Sequence, residues 1–250
     1  AILMEADSGE VLAEKKADDP IYPASMTKMM TALLTLEANP DLDQPVILPE
    51  DIFPALQAEG ASMAGFRPGE TATVRDLLYG ALLPSGAECC EALAREVSGS
   101  EEAFVELMNQ KAAALGMAST HFCNPTGLHD PEHVSTARDM AVLLRAAMQN
   151  ERFRTIFATA RYTVPPTNLH PDGFTMESTF WSELDGTELR RGKFLGGKTG
   201  YTSAAGLCLA SAAEVKGKTY LMVTAGAQGN HNTEPYHVDD AVNVCRQLAR

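Results

Sequence analysis

In Tyr22-Pro23-Ala24-Ser25-Met26-Thr27-Lys28, a serine stands three residues before a lysine, at the entry to a run of apolar residues and threonines. Positions i and i+3 share nearly one face of a helix, so the Lys28 amine would lie beside the Ser25 hydroxyl. A hydroxyl is a poor nucleophile until a neighbouring base takes its proton. A lysine becomes that base when burial or a second cation disfavours its charged form. Met26, Met29 and Met30 supply the apolar surroundings this demands. The plainer reading makes Ser25 a helix N-cap and Lys28 a surface charge. S-x-x-K alone does not decide between them.

Two further pieces carry reactive side chains. Ser85, in Pro84-Ser85-Gly86-Ala87, falls at the joint between two expected helices. It either caps the second helix or relays a proton, if the fold brings it near Ser25. In Gly197-Lys198-Thr199-Gly200, the paired glycines let backbone approach a ligand closely and leave the Lys198 ammonium free to meet a carboxylate. Gly192 completes the numerical G-x-x-x-x-G-K-[ST] spacing, but YTSAAGLCLAS follows and reads as strand. A phosphate-binding loop needs a helix there instead.

The elements that must position these residues can be read from pattern. Ile2 to Glu14 forms a hairpin around Asp7-Ser8-Gly9. A helix is expected from about Ser25 to Ala38, stopped by Asn39-Pro40. Pro45 to Gly69 is turn-rich. Helices follow from Thr73, over Glu88–Val97, Glu101–Leu115 and Thr136–Met148. Arg161 to Asn168 contains Pro165-Pro166 and cannot be helical. From Gly196 the chain reads as strands with a tight connection at Val215–Lys218, and beyond Pro235 as a helix. The expectation is an α+β fold whose antiparallel sheet is built from both chain ends, with flanking helices and a mainly helical lobe. In one catalytic domain, residues 1–50 and 195–250 would form the sheet lobe, 51–150 the helical lobe and 151–194 an extended connection.

Composition narrows the partners. The formal charge of −13 on 250 residues argues against nucleic acid. There is no basic amphipathic stretch to suggest a membrane surface, and no apolar run long enough to span one. The chain opens directly on the hairpin pattern, so no signal peptide is expected in it. Five scattered cysteines give neither a disulfide framework nor metal-ligand spacing, and the histidines show no ligand spacing either. No metal or cofactor is expected.

Together, S-x-x-K, S-G-x and K-T-G in this order form the set found in class A β-lactamases and penicillin-binding proteins. The chain resembles the low-molecular-mass penicillin-binding proteins, the serine-type D-alanyl-D-alanine carboxypeptidases, over nearly its whole length. The stretches that carry the likeness are DSGEVL, PASMTKMMTALL, RPGETATVRDLLYGALLPSGAE, NPTGLHDPEHVSTARDMAVL, PPTNLHPDG and KTGYTSAAGLCLA.

That resemblance implies a β-lactamase/transpeptidase-like fold and a peptidoglycan stem peptide ending in D-Ala-D-Ala as substrate. It implies β-lactams as inhibitors and a place outside the cytoplasmic membrane, with no anchor visible in this chain. It implies Ser25 as nucleophile, Lys28 as base and Ser85 as proton relay. Lys198 and Thr199 would hold the substrate carboxylate, within a binding strand that includes Gly200 and Tyr201. The N–H groups of Ser25 and Tyr201 would form the oxyanion hole. The second motif departs from the family at Ala87, where an asparagine amide is usual. The alternatives are therefore a class A-like β-lactamase and a catalytically impaired relative.

Overall fold

The computed structural model describes residues 1–38, 41–184, 186–187, 189, 191–230 and 232–250. Strands β1 (Ile2–Glu5) and β2 (Val11–Glu14) pair antiparallel across the Asp7-Ser8-Gly9 turn. A 3-10 turn over Ala24–Thr27 then runs directly into helix α1 (Lys28–Ala38). The expected Asn39-Pro40 stop lies outside the described residues. Lys28, Met29, Met30, Thr31, Ala32, Leu33, Thr35 and Leu36 are all buried. A helix buried on nearly every side belongs at the centre of a packed lobe.

That lobe is assembled around α1. After β3 (Pro45–Ile47) comes α2 (Ile52–Ala58), then β4 (Thr71–Thr73), which pairs with β3. Thr73 opens α3 (Val74–Leu82) with a capping box: its hydroxyl accepts from Asp76 N, and the Asp76 carboxylate accepts from Thr73 N. Helix α4 (Ala87–Ser98) follows, then α5 (Glu101–Ala114), capped by Ser100, and α6 (Ala137–Ala147), capped by Thr136. Helices α3, α4, α5 and α6 all pack on α1.

Residues 151–194 are not the extended connection the sequence suggested. They hold α7 (Glu151–Phe157), a hairpin of β5 (Arg161–Val164) and β6 (Phe174–Glu177), and α8 (Thr179–Leu184). The physical reason lies at each helix start and on its inner face. Asn150 Oδ1 accepts from the Arg152 and Phe153 amides, and Phe153, Ile156 and Phe157 then fall on one buried face. Phe180 and Leu184 do the same for α8 at i, i+4 spacing.

The chain closes with β7 (Gly192–Thr202), β8 (Gly206–Val215), β9 (Lys218–Ala227) and α9 (Tyr236–Leu248). These complete a five-stranded antiparallel sheet in the order β2-β1-β9-β8-β7, so both chain ends contribute to one sheet. Alternate residues point to opposite faces of a strand. Accordingly Ile2, Met4, Leu221 and Val223 join the core beneath the helices, whereas Leu3 and Met222 face the core formed with α8 and α9. The sheet is covered on both sides, and β7 is left at its edge.

Phe153 is fully buried and stacks on Phe157. Phe153→Ala should lower the stability measured by urea unfolding by about 3–5 kcal/mol. A loss below ~1 kcal/mol would mean that α7 is dispensable to the core.

Candidate active site

Ser25 sits in the 3-10 turn rather than at a helix cap. The cap position falls on Pro23, and no side-chain cap bond is made there. The backbone here is forced: Ala24 has a φ of +47°, a left-handed conformation that costs a non-glycine residue free energy. Two neighbours hold the turn. A Cβ on Gly127 would come 1.9 Å from the Ala24 carbonyl oxygen, and one on Gly200 would come 3.0 Å from the Ser25 amide nitrogen. Glycine at both places lets a loop and the edge strand β7 close on the turn from two sides.

Lys28, the first residue of α1, directs its Nζ to Ser25 Oγ at 2.9 Å and to the Thr126 carbonyl oxygen at 2.6 Å. Its side chain is almost wholly buried. Burial lowers its pKa from the usual lysine value. A neutral amine keeps two N–H donors and gains a lone pair. With one donor held by Thr126, that pair can accept the Ser25 proton.

The loop that supplies the Thr126 carbonyl is itself tied down. Asn124 Oδ1 accepts from Thr126 Oγ1, Thr126 N and Gly127 N, and its Nδ2 donates to the Leu128 carbonyl. His133 fixes the same loop to the turn. Its Nδ1 accepts from Cys123 N, which leaves the proton on Nε2 to donate to Thr27 Oγ1 at 2.8 Å. Neither Asn124 nor His133 was assigned a role from sequence. The N-P-T-G turn at Asn124–Gly127 is the signal that could have marked the loop.

Ser85 and Lys198 form a second pair, with Lys198 Nζ 2.9 Å from Ser85 Oγ. Ser85 holds a φ of +70°, again left-handed, on the turn between α3 and α4. The structure corrects the expectation of a free Lys198 ammonium. Lys198 has no exposed surface, and it donates to Ser85 and to the Thr199 carbonyl oxygen, leaving one N–H uncommitted when protonated. Desolvation, with the Lys28 charge adding to it, pushes its pKa well down. Thr199 Oγ1 shares a 2.6 Å hydrogen bond with Thr179 Oγ1 at the start of α8.

Ser25, Lys28 and Tyr201 line one cleft of about 670 Å³, with Ala87 and Thr126 also on its wall. Gly200 abuts the Ser25 amide, and the Lys198–Ser85 pair is buried beyond the cleft lining. Glu88, beside Ala87, is turned to a different task. Its Oε1 accepts from the Ala64 and Gly65 amides, so it does not stand in for an asparagine amide. Among the described residues no group of three or more histidine, cysteine or carboxylate side chains is arranged to hold a metal ion. No helix among them is long and apolar enough to cross a membrane.

A part-buried serine beside a buried lysine on a helical turn, with a K-T-G edge strand packed against that turn, is the arrangement shared by D,D-peptidases and class A β-lactamases. Residues 1–229 match the family model described as D-alanyl-D-alanine carboxypeptidase, Peptidase S11. The chain belongs to that family. It is 37% identical over 238 residues to the D-alanyl-D-alanine carboxypeptidase DacF of Bacillus subtilis, covering 91% of this chain and 57% of that protein. It is 34% identical to the D-alanyl-D-alanine carboxypeptidase of Streptomyces sp. strain K15, covering 87% of this chain and 77% of the relative.

The crystal structure of the Streptomyces K15 DD-transpeptidase superposes with a TM-score of 0.87 at 30% identity, over 99% of this chain and 95% of that one. A D-alanyl-D-alanine carboxypeptidase structure from Mycobacterium tuberculosis H37Rv gives 0.84 at 32% identity, over 100% and 90%. The chain thus spans little more than half of the Bacillus subtilis relative and most of the Streptomyces one.

Two predictions follow from the geometry. Lys28→Arg should reduce acylation of Ser25 by penicillin at least a hundredfold, because a guanidinium keeps its proton at accessible pH. In the unsubstituted protein the acylation rate should rise with pH through a midpoint below the usual lysine range. An Arg variant with most of its acylation rate, measured by stopped-flow, would leave Lys28 an electrostatic role only.

His133 gives the second. Burial pushes its pKa from 6.5 down to about 4. The unfolded chain therefore binds more protons between those values, and stability is present above pH 6.5 and lost as pH falls toward 4. The loss should reach about 3 kcal/mol. His133→Gln should flatten the stability profile across that window. An unchanged slope would show that other groups set the acid sensitivity.

Proposed function

We propose that this chain is a single catalytic unit of two lobes, a serine D,D-carboxypeptidase. It removes the terminal D-Ala from peptidoglycan stem peptides, outside the cytoplasmic membrane. The observation that carries the reading is the 2.9 Å contact between the buried Lys28 amine and Ser25 Oγ at the cleft. Neutral Lys28 takes the Ser25 proton as Oγ bonds to the carbonyl carbon of the penultimate D-Ala. The negative charge that develops on the carbonyl oxygen is received by the Ser25 and Tyr201 backbone amides. The C–N bond then breaks, and the proton passes from Lys28 through Ser85 to the departing amine. Water enters and surrenders a proton to Lys28 as its oxygen bonds to the ester carbon; the C–Oγ bond then breaks, and Lys28 returns the proton to Ser25 Oγ.

Roles along β7 follow from this assignment. Lys198 holds Ser85 in place and, with Thr199, offers its remaining donor to the substrate carboxylate. Gly200 lets the strand approach the nucleophile, and Tyr201 contributes its amide. The absence of a side-chain amide at Ala87 makes this a weaker grip on the substrate backbone, not a loss of the Ser25–Lys28 chemistry. The β-lactamase alternative gains no support. Residues 165–173 fold onto Glu70, through Thr167 and His170, and none of them is among the described residues lining the cleft.

A D-Ala-D-Ala pentapeptide should lose one alanine by mass on incubation. A fluorescent penicillin should label the fragment containing Ser25 and persist there, and Ser25→Ala should abolish both. Rapid release of the label would favour the β-lactamase, and an adduct on Ser85 would overturn the nucleophile assignment.

A further inference from the structure

Thr179, the first residue of α8, touches both halves of the site. Its backbone N–H donates to the Leu83 carbonyl at 3.1 Å, two residues before Ser85. Its hydroxyl lies 2.6 Å from Thr199 Oγ1, next to Lys198 on the edge strand. The following residue, Phe180, is fully buried and packs so closely on β7 that a Cβ on Gly197 would come 2.5 Å from its ring. The start of α8 is thus pinned to the K-T-G strand and to the turn that carries Ser85. The backbone bond and the ring suffice for that. They leave the Thr179 hydroxyl unexplained.

A hydroxyl has one proton to donate and two lone pairs to accept with. In the Thr179–Thr199 pair one hydroxyl donates and the other receives, and either can take either part. The direction matters to a ligand. When Thr199 donates to Thr179, it has only lone pairs left to present, and these repel a carboxylate. When Thr179 donates, the Thr199 proton is free to meet one. Lys198 does not fix the direction, because its amine binds Ser85 Oγ and the Thr199 backbone carbonyl rather than the Thr199 hydroxyl. A donor feeding Thr199 Oγ1 also polarises its O–H, which strengthens the bond it then makes to an anion. Thr199 is only 8% exposed, so few waters can replace that donor.

We propose that Thr179 is a positioning residue that sets specificity: its hydroxyl donates to Thr199 Oγ1 and so directs the Thr199 proton at the free terminal carboxylate of the peptide in the cleft. The inference rests on the peptidase reading above and gives it a substrate class, peptides that end in a free acid rather than an amide. Lys198 contributes charge to that selection, and Thr179 contributes direction.

The test compares two peptides that differ only at the end, D-Ala-D-Ala as the acid and as the carboxamide. Binding is measured by calorimetry on Ser25→Ala protein, and kcat/KM on protein that keeps Ser25. Thr179→Val, similar in shape but without the hydroxyl, should cut the preference for the acid about fivefold and leave carboxamide binding within about twofold. Thr179→Ser retains a hydroxyl and should retain the preference. A Val variant with the full preference would show the hydroxyl idle, and equal weakening of both peptides would show a merely structural role. Either result overturns the proposal, as does the lack of any acid preference in the Thr179 protein.

Should Thr179→Val fail to fold, Thr179→Ala is judged on the same terms. If the acid preference depends on Thr179 but neither peptide is cleaved, the positioning role stands and the peptidase reading falls. Cleavage with a preference indifferent to Thr179 overturns the positioning role alone.

Discussion

Removing one lysine amine from water is the constraint on which the centre of this molecule depends. An exposed Lys28 would stay protonated and could not accept the Ser25 proton. Sinking it requires a helix, α1, that is buried almost all round, and so requires helices on every side of α1. It also requires polar partners in place of the lost water, which Ser25 Oγ and the Thr126 carbonyl provide. The forced backbone at Ala24 and the close packing of Gly127 and Gly200 follow from the same need, since they fix the turn that carries Ser25.

A second buried lysine nearby compounds the electrostatic problem. Two ammonium groups sharing one interior repel, and the charge of Lys28 already helps to lower the pKa of Lys198. The arrangement therefore favours a state in which at least one of the two is neutral. The Lys28 charge thus adds to burial in disfavouring the charged form of Lys198, whose amine lies 2.9 Å from the Ser85 hydroxyl.

The pairing of Ser25 with Lys28 in the candidate site was legible because such chemistry would demand particular side chains at particular spacings. Ser25 and Lys28 share a helical turn, and Lys198 and Thr199 sit between glycines. The sheet from both chain ends was legible too, from alternation near Ile2 and from the strand run after Gly196. What sequence could not show is backbone chemistry. The Thr126 carbonyl that orients Lys28 would be a carbonyl whatever residue stood there, and it arrives from far along the chain through a loop stitched by Asn124. Likewise, nothing in the letters says that Lys198 turns inward onto Ser85 instead of standing free. Helix α7 went unread because the prolines downstream dominate the pattern, although Asn150, Phe153, Ile156 and Phe157 carry a cap and a face.

The sheet order has a consequence for how the chain assembles. Strand β9 lies between β1 and β8, with Ile2 opposite Val223 and Val223 also opposite Ala210. The strand made last thus inserts between one made first and one made just before it. Such distant pairing is slow to form, because a long stretch of chain must be closed before any contact rewards it. Until residues 218–227 have emerged, β1 and its hairpin have no sheet to join. The K-T-G strand then stands in a bare two-stranded ribbon, with no completed layer to hold it against Ser25. Assembly of the cleft in this way waits on β9, and a chain truncated before it carries every motif without a sheet to bring them together.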